Sequence, residues 1–407
     1  MASQTKVRLT PSWRLLGPAF VAAIAYVDPG NVAANISAGS QYGFLLVWVI
    51  VAANAMAGLV QYLSAKLGLV TGNSLPEVIG AHSTRSMRIA YWLQAELVAI
   101  ATDLAEVVGG AIALSLIFGL PVLLGGLITG VVSMGLLALG DRRGPRAFEQ
   151  VTSGLLIIIA VGFVAGLVVD PPEAAEVAAG LIPRFDDTES VLLATAILGA
   201  TVMPHAVYLH SGLARDRHGQ PPPGSGRRRL LRVTRWDVGL AMLVAGALNL
   251  AMLVLAATDL RGLDHSGSIE GAHAAIGNTL GPGIALLFAV GLLASGLAST
   301  SVGAYAGAMI MQGLVRISVP VVGRRLLTLC PALAILAWGV EPTRALVISQ
   351  VVLSFGIPLA LVPLIRATGD RSVMGEDANG VLVSTLGWTV TAVIATLNVA
   401  LIYLTLR

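Results

Sequence analysis

The chain of 407 residues is 56% hydrophobic and only 12% charged, with a formal net charge of +3. Soluble domains carry about 25% charged residues, so this composition excludes an ordinary water-soluble protein. Apolar stretches of about 20 residues, each long enough to cross the hydrocarbon core as a helix, recur along the chain. We therefore predict an all-α integral membrane protein embedded in a lipid bilayer. The positive charge does not indicate a nucleic-acid partner, because most Lys and Arg residues lie in short loops.

Eleven membrane-spanning helices are predicted from the apolar stretches. The eighth stretch, 273–315, is too long for one simple span, so we expect a loop or surface helix followed by a membrane part near Pro282–Ile310. The single cysteine, Cys330, excludes a disulfide within the chain. In chain order the predicted spans are 15–39, 44–71, 88–118, 121–140, 149–169, 190–214, 237–258, 273–315, 324–340, 343–366 and 380–405.

Arginine residues are unevenly divided between alternate loops. One set contains only Arg184, Arg261 and Arg344 and is rich in acidic residues between 170 and 189. The other set contains Arg85 and Arg88, Arg142 to Arg146, the segment 215–235, Arg316 to Arg325, and Arg366 with Arg371. The positive-inside rule then places the N-terminus in the cytoplasm, and an odd number of spans leaves the C-terminus outside. The segment Gln220–Arg232, in which three prolines precede three arginines, is interpreted as a cytoplasmic linker.

Prolines interrupt two predicted spans at matching places, at Asp28-Pro29-Gly30 in the first and at Met203-Pro204 in the sixth. Because proline lacks an amide donor and clashes with the preceding turn, we expect non-helical backbone near Asp28–Gly30 and Ala200–Pro204. Broken helices five spans apart are typical of transporters built from two inverted repeats, here 15–169 and 190–366, followed by the final helix 380–405. The alternative is that these prolines only kink two ordinary helices.

Only four acidic residues lie deep inside predicted spans: Asp28, Glu96, Asp103 and Glu106. An ionisable group in the membrane is costly unless it is paired, hydrated or neutralised, so these residues are functional candidates. The last three lie on the third span at spacings of seven and three, which places them on one helical face over about 15 Å. Such a row could relay protons if it faces water. The alternative is a set of buried ion pairs that only stabilises helix packing.

The two breaks bring together side chains that can bind a metal ion. Asp28 and Asn31 flank Pro29, and Met203 precedes Pro204 and His205. A carboxylate, a carboxamide, a freed backbone carbonyl and a thioether favour softer divalent ions over Ca²⁺ and Mg²⁺. Met203 could equally be a packing residue. His205 could be a ligand, a proton acceptor or a packing residue, and its offset from Met203 favours proton handling.

These motifs resemble those of the Nramp family of proton-coupled divalent metal transporters. The resemblance extends over essentially the whole chain, with long ordered matches at 73–80, 94–106, 199–211, 293–303 and 349–364. It implies a LeuT-type fold in one transporter domain, located in a bacterial plasma membrane. The implied substrates are Mn²⁺, Fe²⁺, Cd²⁺, Co²⁺ or Zn²⁺ with protons, without a cofactor or an obligatory protein partner.

The resemblance also implies a set of metal ligands. These are the side chains of Asp28, Asn31 and Met203 and the carbonyl of Ala200. In some conformations the carbonyl of Ala25 or Tyr26 and the side chain of Gln350 join them. Retention of Met203 distinguishes this chain from relatives that transport magnesium.

A proton pathway is implied in the same way. Asp28 or His205 would accept the proton, and Glu96, Asp103 and Glu106 would carry it onward. The implied acceptors at the far end are Arg217, Arg324 and Arg325. Because these arginines lie near cytoplasmic span ends, they could instead be topology determinants.

Three other classes of function are alternatives to proton-coupled metal transport. An organic-substrate symporter on the same scaffold would have to hold a carboxylate, which Asp28 would repel. A passive metal channel would not require broken, inverted helices. A membrane enzyme is disfavoured because the sequence contains no Ser/His/Asp, zinc-hydrolase or phosphate-loop pattern.

Overall fold

The computed structural model describes residues 17–143, 145–263, 267–317 and 321–406, and all regular structure within them is helical. Short 3₁₀ turns lie at Ala25–Val27, Gly43–Leu46 and Gly375–Asp377. In chain order the α-helices are α1 (Pro18–Ile24), α2 (Pro29–Tyr42), α3 (Val47–Thr71), α4 (Leu75–His82), α5 (Arg85–Phe118), α6 (Val122–Arg143), α7 (Pro145–Val169), α8 (Ala174–Ala179), α9 (Thr188–Thr201), α10 (Pro204–His218), α11 (Ser225–Asp259), α12 (Ile269–Thr279), α13 (Pro282–Val315), α14 (Val321–Ala337), α15 (Pro342–Gly369), α16 (Arg371–Met374) and α17 (Val381–Thr405).

The prediction of an all-α membrane protein is confirmed. Seven helical stretches among the described residues are long and apolar enough to cross a bilayer, and shorter apolar helices account for further predicted spans. The first and sixth predicted spans are each divided into two half-helices, α1 with α2 and α9 with α10. The eighth is divided into the short α12 and the long α13, which begins at Pro282 as expected.

Both helix breaks are shorter than the sequence predicts. α2 begins at Pro29, so Gly30 is helical and only Asp28 has extended backbone. α9 continues through Ala200 to Thr201, and the irregular backbone is confined to Val202 and Met203. The physical reason is that proline fits the first position of a helix, where no amide donor is needed. Each proline therefore starts a half-helix immediately instead of lying inside an unwound segment.

The prediction of a linker over Gln220–Arg232 is wrong for most of its length. α11 begins at Ser225, and only residues 219–224 between α10 and α11 are irregular. The three prolines at 221–223 exclude a helix there. Arginine and leucine, which dominate the following residues, are good helix formers, so the helix begins soon after the last proline.

Glycines allow the helices to approach closely around the breaks. A Cβ atom at Gly109 of α5 would overlap the Pro29 ring, and one at Gly199 of α9 would overlap the Gln350 carbonyl of α15. α5 also packs along α13, and α11 packs along α2 and α3. Small residues at such crossings are typical of helix association in membranes. The first break is therefore enclosed on several sides by packed helices.

The two ends of the bundle differ. At one end, here called the Tyr42 end, α2 finishes and α9 and α15 begin, and a cavity of about 140 Å³ lies between these helices and Gly267. Its lining includes Glu189, Glu341 and Arg344. At the opposite end, here called the Gly17 end, α1 and α11 begin and α3 and α10 finish.

Candidate metal site

One asparagine side chain joins the two helix breaks. Asp28 has extended backbone (φ −76°, ψ 168°), and its Oδ1 caps α2 by accepting a 2.7 Å hydrogen bond from the Asn31 amide. Asn31 Nδ2 donates to the same Asp28 oxygen and to the Ala200 carbonyl, both at 3.0 Å. Asn31 thus connects α2 of the first broken helix to α9 of the second.

Proline explains why the Ala200 carbonyl is available although Ala200 is helical. Within a helix this carbonyl would accept a bond from the residue four positions on, which here is Pro204 and has no amide hydrogen. The same holds for Ala25, four residues before Pro29. Each break therefore has a backbone oxygen that lacks its helical donor.

Three of the predicted metal ligands around the breaks have a buried side-chain oxygen that accepts no hydrogen bond: Asp28 Oδ2, Asn31 Oδ1 and Gln350 Oε1. These residues and Met203 each have a relative exposure of 0%. Gln350 lies against the first break, because a Cβ atom at Gly30 would overlap its carboxamide. Buried polar atoms without a partner are rare, so three of them together require an explanation. Carboxylate and amide oxygens beside a thioether form a donor set that suits a transition-metal ion.

Tyr26 lies in the first broken helix, but its polar groups are engaged elsewhere. Its carbonyl accepts a 2.7 Å hydrogen bond from Asn249 Nδ2 of α11. Its hydroxyl accepts a hydrogen bond from Gln61 Nε2 of α3, and Gln61 Oε1 lies 2.7 Å from His210 Nδ1. In this conformation the Tyr26 carbonyl therefore does not belong to the set of free oxygens, whereas the Ala25 carbonyl lacks its helical donor.

Sequence reasoning did not identify Asn249 and Gln61, which position the first break. Asn249 Oδ1 also accepts a 2.9 Å hydrogen bond from Asn35 Nδ2 of α2, so this one side chain connects both half-helices to α11. A signal was present, because carboxamides are rare within apolar spans and are found where they bond across helices.

His205, two residues after Met203, contacts α5. It is buried, with a relative exposure of 3%, and its Nδ1 lies 3.3 Å from Thr102 Oγ1 of α5. Thr102 precedes Asp103, one of the predicted acidic residues. His205 therefore faces the helix that carries the acidic residues.

The acidic residues of α5 are matched with arginines of α14. Arg324 Nη2 lies 2.9 Å from Glu96 Oε1. Arg325 Nη1 forms ion pairs with Asp103 and, at 3.2 Å, with Glu106 Oε2. Its Nη2 donates to Thr300 Oγ1 at 3.2 Å. One guanidinium therefore faces two carboxylates.

Arg217, the third predicted arginine, is not among the ion-pair partners of Glu96, Asp103 and Glu106 in the described ranges. It lies in the last turn of α10, and the ion pairs of the three α5 carboxylates in the described ranges all go to α14. The sequence allows two hypotheses for the acidic row, a proton relay and a set of buried ion pairs, and the geometry contains features of both. Asp103 is paired as a structural residue would be, whereas Glu106 Oε1 is buried without a hydrogen-bond partner.

Glu106 also lies close to the donor set. Gly109, one turn further along α5, touches the Pro29 ring, which adjoins Asp28. Asp28 Oδ2 and Glu106 Oε1 are thus two unpartnered carboxylate oxygens on neighbouring helices. The donor set and the ion-pair network therefore lie on two helices, α2 and α5, that pack closely at Pro29 and Gly109.

A helical bundle in which two broken helices meet at a buried polar centre is the architecture of LeuT-type transporters. Comparison with solved structures supports this fold. The structure resembles Mhp1, a nucleobase-cation-symport-1 family transporter, with a TM-score of 0.61 at 17% identity over 96% of this chain and 91% of that one. It resembles MhsT, solved in complex with L-phenylalanine, with a TM-score of 0.61 at 13% identity over 96% of this chain and 97% of that one.

The chain belongs to the Nramp family, because the family model described as natural resistance-associated macrophage protein-like matches residues 19–404. It is 66% identical over 405 residues to a divalent metal cation transporter MntH of Mycobacterium tuberculosis, covering 100% of this chain and 95% of the relative. It is 45% identical over 387 residues to an MntH protein of Klebsiella pneumoniae, covering 94% and 92%. A crystal structure of a manganese transporter from Eremococcus coleocola is similar with a TM-score of 0.86 at 30% identity, covering 95% of this chain and 86% of that one.

Proposed function

We propose that this protein imports divalent transition-metal ions such as Mn²⁺, together with protons, by alternating access. The observation that carries the proposal is the set of three unpartnered buried oxygens at two helix breaks that Asn31 joins, with the buried Met203 at the second break. The names of the relatives, which include divalent metal cation and manganese transporters, support the same substrate class.

The donor set accounts for the selection of the ion. Asp28 supplies the negative charge, Asn31, Gln350 and the Ala200 carbonyl supply neutral oxygens, and Met203 supplies the softer sulfur. Thioether sulfur binds Ca²⁺ and Mg²⁺ weakly, so those abundant ions would gain least from this set. An apolar organic substrate would leave the three oxygens without partners, at a cost for each buried group.

The burial of the donor set supports alternating access. The cavity at the Tyr42 end reaches Ser37 of α2, six residues or about 9 Å along the helix from Asn31. An ion arriving through this cavity meets closed packing before it reaches Asp28, which has a relative exposure of 0%. A passive channel would need a continuous open path, which this packing disfavours.

Proton coupling is proposed to run from the donor set to the acidic row of α5. A divalent ion at Asp28 requires the ionised carboxylate, so its arrival releases any proton held there. Glu106 is the nearest unpartnered carboxylate and would receive that proton. Asp103 and the pair of Glu96 with Arg324 then continue the polar region along α5.

The arrangement in the membrane is also a proposal. The arginine distribution supports a cytoplasmic N-terminus, with the Gly17 end inside and the Tyr42 end outside, in a bacterial plasma membrane. The matching breaks at Asp28 and Met203 support inverted repeats over 15–169 and 190–366.

The test is uptake of Mn²⁺, Fe²⁺, Co²⁺, Zn²⁺, Cd²⁺, Ca²⁺ and Mg²⁺ into proteoliposomes, with internal pH followed at the same time. Asp28→Asn should abolish both metal binding and uptake, because it removes the only charge of the donor set. Glu106→Gln should retain metal binding and lose most of the coupled acidification. Glu376→Gln, which alters an exposed acid in the α15–α17 connector, is the matched control and should behave as wild type.

Two results would contradict the proposal. Normal Mn²⁺ uptake by Asp28→Asn would remove this carboxylate from the site. Loss of metal binding with retained acidification in Glu106→Gln would make Glu106 a ligand instead of a proton carrier.

A further inference from the structure

The first residues of α11 project beyond the membrane core. The helix has 35 residues, so it is about 52 Å long, whereas the hydrocarbon core is about 30 Å thick. Its apolar part begins after Trp236 and continues toward Asp259. Residues 225–235 therefore lie at the depth of the lipid headgroups at the Gly17 end.

Three arginines of this projecting part form one exposed stripe, here called the arginine stripe: Arg228, Arg232 and Arg235. Their spacings of four and three place them on one side of the helix. Further along the helix, the exposed residues are apolar and lie about 60–120° around the axis from Arg228. Trp236 is 67% exposed, Leu240 42% and Leu243 65%, so the exposed face of α11 continues from the stripe into lipid.

Two other arginines near the Gly17 end differ from the stripe in having carboxylate partners. Arg227, about 100° around α11 from Arg228, is buried and lies 3.0 Å from Asp377. Arg215 forms an ion pair with Glu77. Among the described residues, the stripe has no carboxylate within ion-pair distance. The charge of the stripe is therefore not neutralised by any carboxylate among the described residues.

An aromatic residue contacts the membrane-facing end of the stripe. The Arg235 guanidinium lies 5.1 Å from the centre of the Tyr62 ring, and its Nη2 is 3.5 Å from the Tyr62 hydroxyl. A cation over an aromatic face is attracted to it, which limits the freedom of this side chain. Tyrosine and tryptophan are also the residues that favour the membrane–water interface. Tyr62 and Trp236 thus flank Arg235 where phosphates of a bilayer would lie.

We propose that the arginine stripe binds the phosphate headgroups of anionic phospholipids in the leaflet at the Gly17 end. Guanidinium groups form paired hydrogen bonds with phosphate oxygens, and three of them in a row match a strip of anionic headgroups. A lipid fits better than a soluble phosphate, because the exposed face of α11 becomes apolar below the stripe, at Trp236 and Leu243, where acyl chains would lie. This inference does not depend on the transported substrate.

Binding there would stabilise one end of α11. Next to the stripe on α11, Arg227 forms an ion pair with Asp377 of the α15–α17 connector. Lys66 of α3 donates a 2.8 Å hydrogen bond to Asn379 of the same connector. A lipid bound to the stripe would therefore reinforce a helix end that joins three parts of the bundle. We expect the lipid to raise the thermal unfolding temperature of the protein.

The experiment measures thermal unfolding of the purified full chain in mixed micelles with increasing phosphatidylglycerol in place of phosphatidylcholine. Wild type should be stabilised in a saturable manner. R228Q/R232Q/R235Q should need a much higher mole fraction for the same effect, roughly fivefold more for each arginine removed. R228K/R232K/R235K keeps the charge and should retain most of the response, which separates lipid binding from a folding defect.

The matched control is R85Q/R366Q/R371Q, which removes three exposed arginines at the same end but away from α11. It should respond to phosphatidylglycerol as wild type does. An equal loss of response in this control would mean that only net charge matters and would overturn the proposal. So would an unchanged response of R228Q/R232Q/R235Q, or equal stabilisation by soluble glycerol phosphate in phosphatidylcholine micelles.

Discussion

Replacement of Arg325 by methionine tests whether the guanidinium holds the buried carboxylates in place. Arg325 has a relative exposure of 1%, and its partners Asp103 and Glu106 have 3% and 0%. Methionine has a similar length but no charge, so the variant leaves two carboxylates in an apolar bundle without their cation. Removing one partner of a buried pair costs about 3–5 kcal/mol of stability. The lost hydrogen bond to Thr300 adds about 1 kcal/mol at most.

The neighbouring arginine is the matched control. Arg324 has a single carboxylate partner, Glu96, whose side chain is 16% exposed and can gain hydration after the change. Arg324→Met should therefore cost less, about 1.5–3 kcal/mol, the value of one charged hydrogen bond. We expect the difference between the two variants to appear in the free energy of unfolding measured by titration with a denaturing detergent.

A compensating variant separates charge from packing. In R325M/D103N/E106Q all three groups are neutral, so no unpaired charge remains in the bundle. We expect this variant to recover at least half of the stability that Arg325→Met loses. The interpretation fails if Arg325→Met is no less stable than Arg324→Met, or if neutralising the carboxylates destabilises the protein further. Either outcome would mean that Asp103 and Glu106 do not depend on Arg325.

Three further predictions concern the donor set and the Tyr42 end. Met203→Ala should keep Mn²⁺ uptake, lose much of the Cd²⁺ affinity and begin to transport or be inhibited by Ca²⁺ or Mg²⁺, because thioether sulfur disfavours hard ions. Competition uptake at equal expression measures this change. An unchanged ion preference would mean that Met203 is only a packing residue. Gly30→Ala should weaken metal binding, because the added methyl group displaces the Gln350 carboxamide. In a Gln350→Ala background the same substitution should cause no further loss of metal affinity. If the losses of affinity of the two single variants add in the double variant, this mechanism is excluded. Hydrogen bonds from the Tyr42 hydroxyl and the Ser190 amide hold the pKa of the Asp187 carboxyl below its usual value. A carboxyl whose pKa is depressed by folding stabilises the protein above the unfolded-state pKa of about 3.9, and this contribution is lost as the pH falls through the folded-state pKa. Asp187→Asn should therefore lower the thermal unfolding temperature at neutral pH, and the difference in unfolding temperature from wild type should become smaller below about pH 4. A difference that does not change with pH would contradict this prediction.

Properties that depend on the local chain could be predicted from the sequence. Apolar stretches of sufficient length determine the membrane location, because only a helix satisfies its own backbone in lipid. The positions of the breaks follow from Pro29 and Pro204, since a missing amide hydrogen frees the carbonyl four residues earlier wherever the chain folds. The shared face of Glu96, Asp103 and Glu106 follows from helical periodicity alone.

The lengths of the breaks and the start of α11 required the structure. The sequence pattern at Ala200 is compatible with either a helical or an irregular backbone, and packing of α9 against α15 favours the helix. Arginines after Pro223 are compatible with a linker or a helix in isolation. The structure continues α11 to Ser225, with Arg227 bonded to a connector 150 residues away.

The partners of the polar groups were decided only by tertiary structure. The sequence presents Arg217, Arg324 and Arg325 as equivalent candidates, and only the packing of α14 against α5 brings Arg325, 222 residues away, to Asp103. The Tyr26 carbonyl is withdrawn from the donor set by Asn249, 223 residues further along the chain. Hydrogen bonds and ion pairs act over a few ångströms, so their partners depend on how distant helices cross. A linear sequence specifies which groups need partners in the membrane, and the crossing of the helices selects among them.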